Sequence, residues 1–240
     1  MKYAVVTGGT KGIGRQICID LLSKGYFVIT NYAHDDKIAQ NARDNFSYYS
    51  SEYEVIKFDQ SKDNDIESFV QFIRNKTKEI HCIICNTGST SRKSFSTIEN
   101  FEWEYVFNVN VHSHFYLIRD LNSIIQKNAK IVFIGSLLGE VPHATSLVYG
   151  VTKAAVHALA RNLVKEFSER EVTINIIAPG FVETEWQKDK SSVIRNNIYN
   201  KTALKRFATV EEVTMACMML VDNDFINGAT IYVDGGYNYR

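Results

Sequence analysis

Tyr149 and Lys153 stand four residues apart at the head of a long helical pattern, so a phenol and an ammonium share one helical face. A free tyrosine titrates at about 10, too high for efficient proton transfer at neutral pH; a fixed cation alongside favours phenolate and lowers that value. This spacing suits delivery of a proton from Tyr149 to a ketone oxygen as hydride arrives on carbon. Lys153 would tune the phenol and hold a nicotinamide ribose. Ser136 ends a strand thirteen residues before Tyr149, where its hydroxyl could hold a substrate carbonyl or, more simply, cap a turn. Gly135 and Ser136 are adjacent, so Gly135-Ser136-Leu137-Leu138-Gly139 is not the G-x-S-x-G elbow of a hydrolase. Asn110, inside Asn108-Val109-Asn110-Val111, could hold a water leading to Lys153; spacing alone reads it as a tolerated polar helix residue.

A second group of residues points to an anion. The first strand runs into Thr7-Gly8-Gly9-Thr10-Lys11-Gly12-Ile13-Gly14, and a helix follows at once. A helix N-terminus presents unpaired N–H groups and a positive dipole end, and glycine lets the backbone approach a pyrophosphate closely. The spacing is G-x-x-x-G-x-G, which on its own also suits a tight turn without ligand. The second strand ends in Thr30-Asn31-Tyr32, without the carboxylate that would bond the ribose 2′-hydroxyl of NAD. Lys11 in the turn and Arg15 one helical turn later supply cations instead, so the expected cofactor is NADP(H), unless Lys11 is only a solvated loop charge.

Groups so far apart in sequence meet only if the chain gathers them at one sheet edge. Strands are expected at Tyr3–Val6, Phe27–Asn31, Glu54–Phe58, His81–Cys85, Lys130–Gly135, Thr173–Ile177 and Thr230–Val233. Helices are expected at Ile13–Lys24, Asp36–Phe46, Asp63–Lys76, Phe101–Gln126, Tyr149–Arg170 and Val210–Val221. This alternation implies an α/β fold: a single Rossmann-type, doubly wound parallel sheet of about seven strands with helices on both faces. The only prolines are Pro142 and Pro179 and no linker divides the 240 residues, so one domain over 1–240 is expected, with a polar, flexible substrate-loop segment at 185–199.

Lys plus Arg and Asp plus Glu both number 27, which argues against a broad basic face for nucleic acid. No apolar run nears the roughly 18 residues of a membrane span, and no signal pattern opens the chain, so a cytoplasmic location is expected. Cys18, Cys82, Cys85 and Cys217 read as reduced, buried thiols. The Cys82-x-x-Cys85 pair lies in a buried strand with no second Cys/His pair, so no metal is expected.

Taken in order, these residues resemble the short-chain dehydrogenase/reductase family over nearly the whole chain. The cofactor turn at 7–14, Asn86-Thr87-Gly88 after the fourth strand, the set Asn110, Ser136, Tyr149 and Lys153, and Pro179-Gly180 through Thr184 carry the likeness. The resemblance implies Tyr149 as acid/base, Ser136 as carbonyl partner, Lys153 as modulator and ribose ligand, and Asn110 as water holder. It implies cofactor contacts from Gly8, Thr10, Lys11, Gly12, Ile13, Gly14 and Asn31. It further implies Asp59 and Gln60 at the adenine, Asn86 and Gly88 at its ribose, and Pro179, Gly180, Val182 and Thr184 on the nicotinamide side.

Within the family the chain is most similar to 3-oxoacyl-[acyl-carrier-protein] reductases, through Ile177–Thr184, Leu204–Phe207 and Tyr232–Gly236. That likeness implies reduction of a carrier-bound 3-oxoacyl thioester to the 3-hydroxyacyl form in fatty-acid or polyketide-like synthesis. Lys127 and Arg170 fall where those reductases keep arginines for an acidic carrier protein. Departures lie at Cys85-Asn86-Thr87-Gly88, where the family has Asn-Asn-Ala-Gly, and at Glu140 and His143 near the substrate mouth. They leave open a reductase or dehydrogenase of a sugar, steroid or secondary-metabolite alcohol. A non-catalytic NADP(H) sensor or scaffold is the remaining alternative, opposed by the presence of Tyr149, Lys153 and Ser136 together. Apolar stripes on the two longest helices, with the family's habit, imply a homotetramer.

Overall fold

The computed structural model describes residues 1–143 and 147–237. Its elements are β1 (Lys2–Val6), α1 (Gly12–Ser23), β2 (Tyr26–Tyr32), α2 (Asp36–Ser47), β3 (Tyr53–Lys57), α3 (Asp63–Lys76), β4 (Ile80–Cys85), α4 (Asn100–Phe107) and α5 (Ser113–Leu121). They continue with β5 (Ile125–Ile134), α6 (Leu147–Glu166), β6 (Thr173–Pro179), α7 (Ser192–Lys201), α8 (Val210–Asp222) and β7 (Thr230–Val233).

The seven strands form one parallel sheet in the order β3-β2-β1-β4-β5-β6-β7. Strand order reverses between β1 and β4, the crevice where open α/β sheets place ligands. Side chains alternate between the two faces. Ala4, Val6, Cys82 and Ile84 join α1, α2 and α8 in one core, whereas Val5, Ile83 and Cys85 join α3, α5 and α6 in the other. Cys82 and Cys85 therefore point into opposite layers and cannot share an ion. Burial pushes the Cys82 thiol up to about 12, which keeps it protonated.

Four stretches differ from expectation. The helix expected at Phe101–Gln126 is broken: α4 passes into a π-turn at Asn108–His112, α5 stops at Leu121, and a short 3-10 turn follows. β5 then starts at Ile125 rather than Lys130, because Gln126, Lys127 and Asn128 are looped into a bulge. Ile125 pairs with Ile80, Lys130 pairs with Cys82, and Asn128 takes a left-handed φ of 62° inside the bulge. The helix expected at Tyr149–Arg170 ends at Glu166, and Glu171 turns the chain at φ 55°. The polar stretch 185–199 carries α7, started by Ser191, whose hydroxyl accepts the Ile194 N–H. Among the described residues, no helix is long and apolar enough to cross a membrane.

His114 of α5 is fully buried and packs edge-on against Phe133 at 6.1 Å. Burial lowers its imidazole to about 3, helped by the nearby Lys153 ammonium. Between that value and 6.5 the unfolded chain binds a proton here that the native state refuses. Native stability therefore falls as pH drops. Urea denaturation at about pH 7.5 and about pH 5 should show a loss of roughly 2 kcal/mol from this group, and His114→Phe should remove that share of the pH dependence.

Candidate active site

The carboxyl ends of β1, β2 and β4 are stitched together by amide and hydroxyl side chains. The Thr7 hydroxyl accepts the Asn86 and Thr87 N–H groups, both at 2.9 Å. Asn86 donates its amide to the Thr7 and Gly8 carbonyls at 2.9 and 3.1 Å. Asn31 accepts the Gly8 N–H at 3.1 Å and donates to the Phe58 carbonyl at 2.9 Å. The turn fits only glycine at its tightest points. Gly8 and Gly12 have φ of +64° and +54°, and a Cβ on Gly14 would lie 2.4 Å from the Asn86 amide nitrogen. The N-terminus of α1 is thereby held open toward a cleft, with no side-chain cap from Lys11.

That cleft collects Gly8, Thr10, Lys11, Gly12, Ile13 and Gly14 from the turn, and Asn86 and Gly88 from the end of β4. Ser136, Tyr149, Lys153, Pro179, Gly180, Val182 and Thr184 complete the shared lining. Four expected residues lie beneath or beside it rather than in its wall. Asn31 is buried and its amide is engaged as described. Asp59 accepts the Ser61 N–H and hydroxyl, at 3.0 and 2.8 Å. Gln60 accepts the Thr87 hydroxyl at 2.5 Å. Asn110 is fully buried: it donates to the Ser89 carbonyl at 2.9 Å and the Thr152 hydroxyl at 2.8 Å, and accepts the Ser89 N–H at 2.7 Å. Its side chain thus ties the loop after β4 to α6.

Sequence reasoning missed Tyr32, Ala33, His34 and Trp186, which also line the cleft. Nothing in their spacing marks them, since Tyr32 ends a strand, Ala33 and His34 follow it, and Trp186 sits in a polar connection. Two carboxylates follow β2: Asp35 lines the cleft, whereas Asp36 does not. Asp35 caps α2 through the Ile38 N–H at 2.9 Å. Asp36 accepts from Lys57 at 2.8 Å and from the Tyr32 hydroxyl at 2.9 Å, and these bonds hold its carboxyl below the usual range. Lys11, exposed in the turn, lines the same cleft.

At the other end, burial pushes the Tyr149 phenol up to about 12, opposed by a hydrogen bond with Ser136. The expected lowering by Lys153 is not what this geometry produces. The Lys153 ammonium lies 5.5 Å from the Tyr149 ring centre and donates to the Ile134 carbonyl at 2.7 Å. Burial lowers that ammonium to about 8. Desolvation outweighs the Ser136 hydrogen bond, so the phenol holds its proton at neutral pH and gives it up less readily than a free tyrosine. Trp186 stands edge-on to the Tyr149 ring at 5.9 Å, and its carbonyl accepts from Arg92 at 3.1 Å. A Cβ on Gly88 would lie 3.6 Å from the Lys153 amine and 3.7 Å from the Asn110 oxygen, so Gly88 borders both groups.

Lys127 and Arg170 lie elsewhere, at the amino edge of β5. Lys127 pairs with Glu171 at 3.3 Å. Arg170 donates to the Asn122 and Ile125 carbonyls at 2.8 and 3.2 Å and covers the Phe167 ring.

Fold and site together define a short-chain dehydrogenase/reductase. The family model described as enoyl-(acyl carrier protein) reductase matches residues 8–238, and the chain belongs to this family. It is 30% identical to the 3-oxoacyl-[acyl-carrier-protein] reductase FabG of Aquifex aeolicus, over 98% of this chain and 96% of the relative. A short-chain dehydrogenase/reductase from Serratia marcescens superposes with a TM-score of 0.92 at 25% identity, over 98% of this chain and 97% of the other. The Pseudomonas aeruginosa RhlG/NADP active-site complex matches with a TM-score of 0.91 at 25% identity, over 98% and 96%.

Asn110→Ala removes three buried hydrogen bonds at once. Urea denaturation should show a loss of about 2–4 kcal/mol. A change within about 0.5 kcal/mol would show that these contacts are not formed in solution.

Proposed function

We propose that the protein reduces a ketone to a secondary alcohol with NADPH, and that its substrate is a 3-oxoacyl thioester borne on an acyl-carrier protein. The observation that carries the reaction is the half-buried, protonated Tyr149 hydroxyl sharing one cleft with Ser136, Lys153 and the open N-terminus of α1. The glycine turn and α1 would hold the pyrophosphate, and Lys11 the 2′-phosphate. When bound, the dinucleotide supplies the hydride. Ser136 donates a hydrogen bond to the ketone oxygen and fixes its position. Tyr149 gives its proton to that oxygen as the alcohol forms. The Lys153 ammonium then faces a phenolate and stabilises it. Trp186 covers the phenol and helps exclude water.

The acyl substrate is supported by the named relatives and by the match from residue 8 to 238. The edge positions of Lys127 and Arg170 favour a second reading. A carrier docked on them faces away from its own protomer's cleft, and Arg170 is already engaged with backbone carbonyls. A free ketone of sugar, steroid or secondary-metabolite type needs no such docking. Exposed Trp103, Tyr105 and Phe115 on α4 and α5, with Leu147 and Val151 on α6, support assembly into a homotetramer.

Tyr149→Phe should lower kcat by about a thousand-fold or more while NADPH affinity stays within about three-fold. Turnover near wild type would leave only a binding protein. Lys11→Glu should cost at least about ten-fold in kcat/KM with NADPH and little with NADH. Carrier-bound and free ketones, compared at equal concentration, decide between the two substrate readings. Light scattering at micromolar concentration should report four subunits, and a monomer would remove the assembly.

A further inference from the structure

The face of α6 that carries Tyr149 and Lys153 continues to His157 and Arg161, each four residues on. His157 is buried, and the proposed reaction gives it no part. Its ring nests against the strand end that holds Ser136. The Ser136 backbone N–H donates to His157 Nε2 at 3.4 Å. On the far side of the ring, Nδ1 lies 3.5 Å from a Glu140 carboxylate oxygen. Two glycines make room for it. A Cβ on Gly135 would lie 2.3 Å from His157 Nε2, and one on Gly139 would lie 2.9 Å from Cε1. The Gly135-Ser136-Leu137-Leu138-Gly139 spacing, which is no hydrolase elbow, is thus the footprint of an imidazole.

We propose that His157, braced by Glu140, is a positioning residue that holds Ser136 in its carbonyl-binding pose by accepting the Ser136 backbone N–H. The inference rests on the reductase reading for what Ser136 does, but not for the contact itself. Ser136 has extended backbone and caps a 3-10 turn, its hydroxyl accepting the Leu138 N–H at 3.1 Å. With its own N–H anchored on His157, both sides of the residue are fixed. The arrangement specifies one tautomer: a proton on Nδ1 facing Glu140 and a lone pair on Nε2 facing Ser136. The imidazolium carries a second N–H on Nε2, which opposes the Ser136 N–H and adds a cation one turn from Lys153. Acid therefore releases the Ser136 turn.

The charged groups around the ring come from three elements. Glu140 faces it from the turn after β5, and Tyr232 of β7 is hydrogen-bonded to Glu140. Lys153 and Arg161 flank it on α6. Burial lowers the imidazole below its ordinary value, Glu140 opposes that shift, and the two cations reinforce it.

The test combines nitrogen-resolved NMR of His157 in the full-length protein with steady-state kinetics. Neutral His157 should carry its proton on Nδ1, and Glu140→Gln should move its titration to lower pH. The acid limb of kcat/KM should move by the same amount. His157→Leu should lower kcat at least about ten-fold with NADPH affinity within about three-fold, and His157→Gln, whose amide oxygen reaches the Nε2 position, should recover part of the loss. A proton on Nε2, an acid limb unmoved by Glu140→Gln, or a His157→Leu enzyme with wild-type kcat overturns the proposal. If His157→Leu does not fold, the tautomer and the Glu140→Gln shift still decide. If the wild-type protein reduces no ketone, the reductase reading fails, while the tautomer still judges the contact.

Discussion

A buried ammonium governs this site. Lys153 is 2% exposed, and a charge taken so far out of water must find oxygen ligands. The Ile134 carbonyl provides one at 2.7 Å, which locks the head of α6 onto the end of β5. Tyr149, one turn earlier on the same face, is carried into the cleft by that docking. Gly139 meets α6 where a Cβ would lie 3.0 Å from the Lys153 carbonyl carbon, so the close approach depends on a missing side chain. Desolvation then sets both protonation states: the ammonium is lowered to about 8 and the phenol raised to about 12. In this state the phenol keeps its proton and is a weaker acid than free tyrosine.

Beneath the cleft, amide side chains serve as cross-links. Asn31, Asn86 and Asn110 each bond two partners distant in the chain; Asn31 and Asn110 use oxygen and nitrogen together, and Asn86 uses its nitrogen twice. Buried backbone groups at strand ends have no ladder partner, and leaving them unpaired costs about 1–3 kcal/mol each. An amide can satisfy a donor and an acceptor at once, which explains its use where three strand ends converge. The π-turn at Asn108–His112 belongs to the same logic, since it interrupts the helix at the residue that must reach Ser89 and Thr152.

The sheet was legible in the residues because strands covered on both faces read as continuous apolar runs, and α3 agreed end to end with Asp63–Lys76. The errors share a cause. The helix carried past Leu121 and the late start of β5 came from polar residues that belong to a bulge, and a bulge is set by pairing with β4 rather than by local pattern. α7 was missed because its residues form too few apolar contacts to show a stripe; only Ile198 is buried.

For the site, motif and order determined which residue types meet: the glycine turn, Ser136, Tyr149 and Lys153 reach one cleft because parallel strands deliver their carboxyl ends to one edge. Only the tertiary structure decided how they are charged and what holds them. The rise of Tyr149, the engagement of Asp36 with Lys57, the scaffold bonds of Asn31 and Asn110, and the His157 ring behind Ser136 all depend on groups distant in sequence. Desolvation and hydrogen-bond geometry are properties of the packed volume around a group, and a linear pattern of residue types does not contain them.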